Sequence, residues 1–281
     1  MYNLKYHIAS LVAVFLALAL GLVLGGLVVR QGGFDKQQSA IVSGLQKEFN
    51  TLKKQNTVLK GDLALESGYS AQMTSNWIAG RLAGRSVLVI TTATKGAAGD
   101  AAVGAIKEAG GNPAVVTMSK PKFGLADKNV VAAVRSVVGS STDLETSVAS
   151  ALASEWSQPD VARPVSEALE RAGAITVSGL SASMGATQVV DTAAFDGKPD
   201  AMALDVTQAY AGAGRFALGA QMPTPDTGVA AAAAARKLSA FDTLGTNAGR
   251  FTLVALLTGG QQGYYSVDAN STAKFPPVPV P

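Results

Sequence analysis

The N-terminal part of the chain contains an uninterrupted apolar run. Residues 8–29 carry no charged side chain, with Lys5 before the run and Arg30 after it. A helix of this length extends about 33 Å at ~1.5 Å per residue, which is enough to cross the hydrocarbon core of a membrane. The pattern predicts a transmembrane anchor over residues 1–30. A signal peptide cleaved after Ala19 is the alternative, although the apolar run continues beyond that position.

Small residues form a stripe on one face of this predicted helix. Ala9, Ala13, Ala17, Gly21 and Gly25 recur at every fourth position, and the two glycines form a Gly-x-x-x-Gly motif. Such a face lets two helix backbones approach closely and favours association within a membrane. We therefore expect the two glycines to contact a second membrane helix, although small residues are common in membrane helices in general.

Charge does not determine the orientation of the anchor, because positive side chains flank both of its ends. The segment before the run is too short to form a domain, and a long domain after an N-terminal anchor is often translocated. We therefore expect a single-pass protein of the cell membrane with its C-terminal domain outside the cytoplasm.

A heptad pattern follows the anchor, between residues 31 and 66. Its a and d positions are Val42, Leu45, Phe49, Leu52, Asn56, Leu59 and Leu63. This spacing is typical of a coiled coil, and a single asparagine at an a position favours a parallel dimer with a fixed register. The alternative is an amphipathic helix packed on its own domain. Gly44 and Gly61 lower the helix propensity and count against a long rigid rod.

A parallel membrane anchor and a parallel coil agree with each other. Two chains tethered side by side have a high effective concentration, which favours pairing of the coil. Glu48 at a g position and Lys53 at the following e position are placed to form an ion pair across such an interface. We predict a homodimer whose interface consists of the seven a and d residues together with Gly21 and Gly25.

The pattern changes after a glycine-containing linker predicted at residues 67–84. A fully apolar strand is predicted at Ser86–Thr92, a helix at residues 100–109 and a second strand at residues 113–118. A strand–helix–strand unit of this kind has two parallel strands joined by a right-handed crossover. The sequence therefore predicts a three-layer, Rossmann-like α/β domain over residues 85–275.

Further elements are predicted along the rest of this domain. The predicted helices cover residues 127–138, 161–172, 201–210 and 230–238. Residues 174–178 are predicted as a short apolar strand, and residues 251–257 fit either a strand or the start of a helix. The tail at residues 276–281 is proline-rich and is predicted as polyproline II or disorder.

Composition narrows the chemistry that the chain can perform. It has no cysteine and one histidine, His7, at the membrane end. Disulfides, thiolate nucleophiles, cysteine-based metal sites and histidine-dependent catalytic triads are therefore excluded from the C-terminal domain. The formal net charge of +3 comes without a clustered basic face, so nucleic-acid binding is not expected.

The loops contain no complete nucleotide-binding motif. Residues 92–100 include Lys95, Gly96 and Gly99 but match neither phosphate-binding consensus. Four acidic residues are predicted to lie scattered through loops rather than to form a catalytic pair: Asp191, Asp196, Asp200 and Asp205. The methionines stand singly, which argues against a dedicated copper(I) site in one chain. We therefore predict no enzymatic activity, no cofactor and no metal ligands.

Two stretches of the sequence carry a family resemblance. One is residues 6–25, an apolar segment before a coil, and the other is residues 239–250, followed by the apolar residues 253–257 and Gly263-Tyr-Tyr. They resemble the actinobacterial family named after mycobacterial copper transport protein B (MctB), which includes the corynebacterial cell-division protein SteB. The Phe241-Asp242 pair and the proline-rich tail depart from that pattern. The resemblance implies either copper efflux through the outer envelope or a scaffold that acts with a membrane partner in cell division.

A polar, glycine-containing turn lies in the second stretch. Its candidate functional residues are Asp242, Asn247, Gly249 and Arg250, whose charges also suit a purely structural role. One helix per chain makes no evident channel, because backbone groups within lipid must all be hydrogen-bonded. We therefore expect a dimeric envelope scaffold that binds an envelope or cell-division partner protein. Copper transport is the alternative, and a nucleotide- or sugar-binding enzyme is a further one.

Overall fold

The computed structural model describes residues 4–30, 33–93, 97–180, 185–266 and 271–277. The chain forms two compact units, Met1–Glu66 and Ser67–Pro281. Helix α1 (Leu4–Arg30) contains the 22-residue segment Tyr6–Leu27, whose mean hydropathy is 2.7. This segment is long and apolar enough to cross a membrane and coincides with the predicted anchor.

Helix α2 (Gly33–Ile78) is longer than the heptad pattern predicted, at 46 residues. We predicted a linker over residues 67–84, but residues 67–78 form the last turns of this helix. They remain helical because Thr74 and Ile78 are buried in the second unit, so packing outweighs the low helix propensity of the glycine at position 68.

The second unit is built on a seven-stranded sheet with the order β3-β2-β1-β4-β7-β8-β9. Its strands are β1 (Ser86–Thr92), β2 (Asn112–Met118), β3 (Ile175–Ser178), β4 (Gln188–Asp191), β7 (Phe216–Ala220), β8 (Ser239–Phe241) and β9 (Tyr264–Tyr265). All neighbours are parallel except β2 and β3. A separate hairpin consists of β5 (Ala194–Phe195) and β6 (Lys198–Pro199). The predicted parallel β1–β2 pair is confirmed, with Val87 opposite Pro113.

In the part of the chain that the structure describes, seven further α-helices lie between the strands. They are α3 (Ala97–Glu108), α4 (Lys128–Val138), α5 (Leu144–Ser157), α6 (Pro164–Arg171), α7 (Ala201–Gly212), α8 (Val229–Ala235) and α9 (Asn247–Leu257). Residues 251–257, which fitted a strand or a helix, belong to α9, because Thr246 caps the helix by accepting a hydrogen bond from Gly249. The helix predicted from residue 161 begins instead at a proline, at the position where a missing N–H is tolerated.

The core lies on both faces of the sheet. All seven residues of β1 are buried, and residues 87–90 alternate between two hydrophobic clusters. Leu88 and Ile90 pack with residues of α4 to α8, whereas Val87 and Val89 pack with α3, α9 and Ile78. Because successive strand side chains point to opposite faces, the described helices cover the sheet from both sides. The result is a mixed α/β unit with a mostly parallel central sheet.

Candidate functional site

Between residues 42 and 63, the a and d positions of α2 form a strip that is apolar except for Asn56, and we call it the seam. It consists of the predicted interface residues Val42, Leu45, Phe49, Leu52, Asn56, Leu59 and Leu63. Its six apolar members are between 58% and 68% exposed, and Asn56 is exposed among them. Burying one such side chain typically contributes about 1.5–3 kcal/mol. The seam is therefore a surface suited to association, while its pairing as a coiled coil stays a prediction.

Polar residues occupy the a and d positions on both sides of the seam. The a and d positions before it are Asp35 and Gln38, and those after it are Glu66 and Ser70. Polar residues at these positions do not gain from burial against a partner helix. The apolar repeat is therefore confined to three heptads, residues 42–63.

The small-residue stripe of α1 is also open. A Cβ placed at Gly21 or Gly25 would meet no atom within 4 Å. The apolar side chains of residues 6–27 are exposed as well. This face has room for the close helix approach that the glycines predict, and the contact itself stays a prediction.

Three of the four candidate turn residues, Asn247, Gly249 and Arg250, lie in the first turn of α9. Asn247 and Arg250 belong to one polar network, which we call the Arg250 network. Arg250 donates to Glu108 Oε2 at 2.7 Å and to Asn247 Oδ1 at 2.8 Å. Asn247 in turn donates to the carbonyl of Ser67 at 3.0 Å, and Ser75 donates to Glu108 Oε1 at 2.6 Å. The network ties α3 and α9 to the last turns of α2.

The same region is reinforced by aromatic packing. The rings of Trp77 on α2 and Phe251 on α9 lie 4.5 Å apart between centroids. The guanidinium of Arg81 lies 4.0 Å from the centre of the Trp77 ring, and its Nε donates to the Trp77 carbonyl at 2.7 Å. Cation–π contacts of this geometry stabilise by about 0.5–1 kcal/mol at exposed sites. Asn247 and Arg250 thus contribute to the joint between helices.

Replacing Arg250 with alanine is expected to lower the free energy of unfolding by about 1–2 kcal/mol, because a charge-assisted hydrogen bond to Glu108 is lost at a partly exposed site. The hydrogen bond from Ser75 and then the bond and charge of Arg250 hold the pKa of Glu108 below its usual range. The contribution of Arg250 is therefore present at neutral pH and lost as pH falls through the lowered pKa. Urea unfolding at pH 7 and at pH 3 measures both effects.

Lys107 provides the control, since it is exposed on the same helix as Glu108. Lys107→Ala should leave the stability nearly unchanged at both pH values. An Arg250→Ala variant that is as stable as Lys107→Ala at pH 7 would contradict a structural role for the network.

The fourth candidate turn residue, Asp242, lies apart from the Arg250 network. It follows β8, and its Oδ2 accepts a hydrogen bond from Ser266, just after β9. Its other carboxylate oxygen is buried without a hydrogen-bond partner among the described residues. The structure therefore places Asp242 at the β8–β9 end of the sheet rather than in a common turn with Arg250.

A further acidic site lies at the carboxyl end of β4. Asp191 is fully buried, and its Oδ1 accepts a hydrogen bond from the Ala193 amide at 2.8 Å. Burial, together with the nearby charge of Asp200, raises the pKa of this carboxyl group to about 7, against the lowering effects of the Ala193 amide, the Arg236 charge and the Thr207 hydroxyl. Strands β1 and β4 are parallel neighbours, and the strand order along the sheet changes direction between them. The α/β folds commonly bind ligands at the carboxyl ends of the strands at such a switch point.

The loop prediction for the acidic residues is wrong for two of the four, Asp191 and Asp205. Asp191 ends a strand, and Asp200 caps α7 by accepting from the Ala203 amide at 3.0 Å. Asp205 lies within α7 and forms an ion pair with Arg236. A capped helix start was the available signal for Asp200, whereas nothing local in the sequence marks Asp191 as buried.

The described ranges hold no group of three or more His, Cys, Asp or Glu residues arranged to bind a metal ion. Met118 and Met202 are fully buried members of the hydrophobic core. Met184 and the loop residues Lys95 and Gly96 lie outside the described residues, as does the end of the proline-rich tail.

Comparison with known proteins gives a family. The model of a family described as “Copper transport outer membrane protein, MctB” matches residues 1–276. Neither the search of curated proteins nor the search of solved structures found a match to this chain. Because the match extends over almost the entire sequence, the family resemblance seen in the sequence is confirmed, and the chain belongs to the MctB family of copper transport outer membrane proteins.

Proposed function

We propose that the chain is a non-catalytic scaffold of the cell envelope, anchored by α1, that works as a dimer in the copper-related role for which its family is named. The observation that carries the proposal is the seam, in which Leu, Val and Phe residues at a and d positions are more than half exposed. Their burial against a matching helix favours association. The seam is on a helix that follows the apolar anchor in sequence.

The proposal also assigns roles to the membrane anchor and to the second unit. Segment Tyr6–Leu27 supports a single crossing of the membrane. We propose that the second unit lies outside the cytoplasm. We interpret that unit as Rossmann-like and three-layered, and as the part that binds an envelope or cell-division partner protein. Copper transport then depends on the assembly that the scaffold holds. The alternative is that the chain itself moves copper, as the family's description states.

Self-association is tested with matched aspartate substitutions in the full-length chain. Leu59 and Leu63 belong to the seam, whereas Val58 and Leu65 lie beside it with similar exposures of 62% and 74%. The Leu59→Asp/Leu63→Asp variant is expected to be monomeric in detergent, because burying carboxylates in the interface is unfavourable. The Val58→Asp/Leu65→Asp control should remain dimeric. Light scattering of the purified proteins measures both, and a monomeric unmodified chain would contradict the proposal.

The two functional alternatives differ in how copper tolerance responds to the same variants. In cells that lack the gene, the unmodified chain and the Val58→Asp/Leu65→Asp control should restore growth on copper. The seam variant should not, although it still reaches the membrane. Full restoration by a monomeric seam variant would contradict the scaffold and support transport by a single chain.

A further inference from the structure

We propose that two copies of the chain pair through the seam in parallel and in register, with Asn56 facing Asn56. This inference rests on the proposed self-association and adds its geometry. The observation that carries it is the sign of the charges beside the seam. The g positions are Ile41, Glu48, Gln55 and Asp62, and the e positions from the same heptads are Gln46, Lys53 and Lys60. Acidic residues occupy only g, and basic residues occupy only e.

In a parallel pair, each g residue faces the e residue of the following heptad on the other helix. Glu48 of one chain then meets Lys53 of the second, and the symmetry of the dimer produces this ion pair twice. The next such pair, Gln55 with Lys60, is also free of repulsion. A parallel arrangement therefore contains no like-charge pair along the seam.

An antiparallel arrangement brings g positions against g positions and e positions against e positions. In the antiparallel offset that places Leu52 against Asn56, Glu48 would face Asp62, and Lys53 would face its own copy. Exposed ion pairs contribute little affinity individually, but like charges placed opposite each other discriminate between orientations. The separation of the two signs selects the parallel pair.

Asn56 selects the register. It is the one polar residue among the seven seam positions, and it lies between Leu52 and Leu59. In register, the two Asn56 side chains face each other and can form a hydrogen bond. A shift by one heptad would place each asparagine against Phe49 or Leu63, where its buried amide would lack a partner.

Disulfide crosslinking tests the orientation, because the natural chain has no cysteine. We use the full-length chain in detergent and place one cysteine at either end of the seam, Val42→Cys or Leu63→Cys. A disulfide requires Cα atoms closer than about 7 Å. A parallel pair in register therefore gives covalent dimers in each variant alone. Lys54→Cys, at the outward-facing f position, is the control and should give none.

The outcomes separate this inference from the proposed function. Crosslinks that form only when the Val42→Cys and Leu63→Cys proteins are mixed would overturn the parallel orientation while leaving self-association intact. Absence of dimers by light scattering in the unmodified chain would overturn both. Dimers that crosslink in neither variant nor in the mixture would overturn the register.

Charge reversal provides a second measurement that does not depend on cysteine. Glu48→Lys replaces two attractive pairs with two repulsive ones and is expected to raise the dimer dissociation constant roughly tenfold. The double variant Glu48→Lys/Lys53→Glu should restore it, because the pair is reversed but complementary. Lys47→Glu, at an f position, should change it little. A double variant that binds no more tightly than Glu48→Lys would contradict the parallel pairing.

Discussion

Replacing Asp191 with asparagine is expected to stabilise the second unit above pH 7 and to abolish most of its pH dependence between about pH 4 and pH 7. Burial raises the pKa of Asp191 to about 7 in the folded chain. In the unfolded chain it returns to about 3.9. Between these values the folded state retains a proton that the unfolded state has released. The free energy of unfolding therefore falls with rising pH, by up to about 1.4 kcal/mol per pH unit.

The structure explains why this carboxyl group resists ionisation. Asp191 has no exposed surface, and its Oδ1 accepts a hydrogen bond from the Ala193 amide. The Thr207 hydroxyl also lowers the pKa of Asp191, but less than burial raises it. Its Oδ2 is buried without a hydrogen-bond partner among the described residues. The charge of Asp200 opposes ionisation and that of Arg236 favours it only in part. An asparagine remains neutral and keeps an oxygen for Ala193, but its amide N–H groups would replace the unpartnered Oδ2. The gain at pH 8 is therefore expected to be about 1–3 kcal/mol.

Urea unfolding followed by tryptophan fluorescence measures this effect in the full-length chain. Both tryptophans, Trp77 and Trp156, belong to the second unit, so the signal reports on that unit. Asp196→Asn makes the same chemical change at an exposed position and should leave the pH dependence intact. Equal stability of the unmodified chain at pH 4.5 and pH 7.5, or a loss of stability in Asp191→Asn at pH 8, would show that Asp191 is ionised in the fold.

The first β–α–β unit could be predicted from the sequence because its signals are local. Strand β1 is a run of seven apolar or hydroxyl-bearing residues, all of which are buried. A helix ended by two glycines and a second apolar run follow it, and the two strands pair in parallel as expected. Helices α4 and α7 were also predicted, and in the structure Asp127 and Asp200 cap their starts, which is another local signal.

The short strands on the other side of the sheet could not be predicted. Strand β7 has the sequence Phe-Ala-Leu-Gly-Ala, which has weak strand propensity and is stabilised by its neighbours β4 and β8. Its Gly219 is required by packing, since a Cβ there would lie 2.4 Å from the Cβ of Ala233 on α8. Such a contact joins residues that are distant in the sequence, so no local pattern reveals it.

The seam and the Arg250 network also differ in whether they depend on local or on long-range contacts. The heptad positions of the seam could be identified from the sequence because a heptad repeat is a property of one helix. The Arg250 network could not, because its bonds join residues 142 and 180 positions apart in the chain. The sequence drew attention to Asn247, Gly249 and Arg250 as a turn, but only the structure shows them at the start of a helix that contacts α2 and α3.

Replacing Gly249 with alanine is expected to lower the free energy of unfolding by about 3 kcal/mol or more, because overpacking against fixed atoms cannot relax. A Cβ at this position would lie 2.0 Å from the Thr243 carbonyl oxygen and 2.9 Å from the Leu244 Cα. Both are backbone atoms, which cannot rotate away as a side chain could. The Gly249 amide also donates to the Thr246 cap at 3.0 Å, so a displacement of this residue would loosen the start of α9.

Gly104→Ala is the matched control, because Gly104 lies inside α3 and a Cβ there would meet no atom within 4 Å. It is expected to keep or raise the stability by up to about 1 kcal/mol, since alanine favours the helix. Tryptophan-detected urea unfolding at pH 7 compares the two variants. If Gly249→Ala were as stable as Gly104→Ala and yet failed to restore copper tolerance, the glycine would act in function rather than in packing. Loss of stability together with loss of tolerance instead assigns its role to the close contact between α9 and the turn before it.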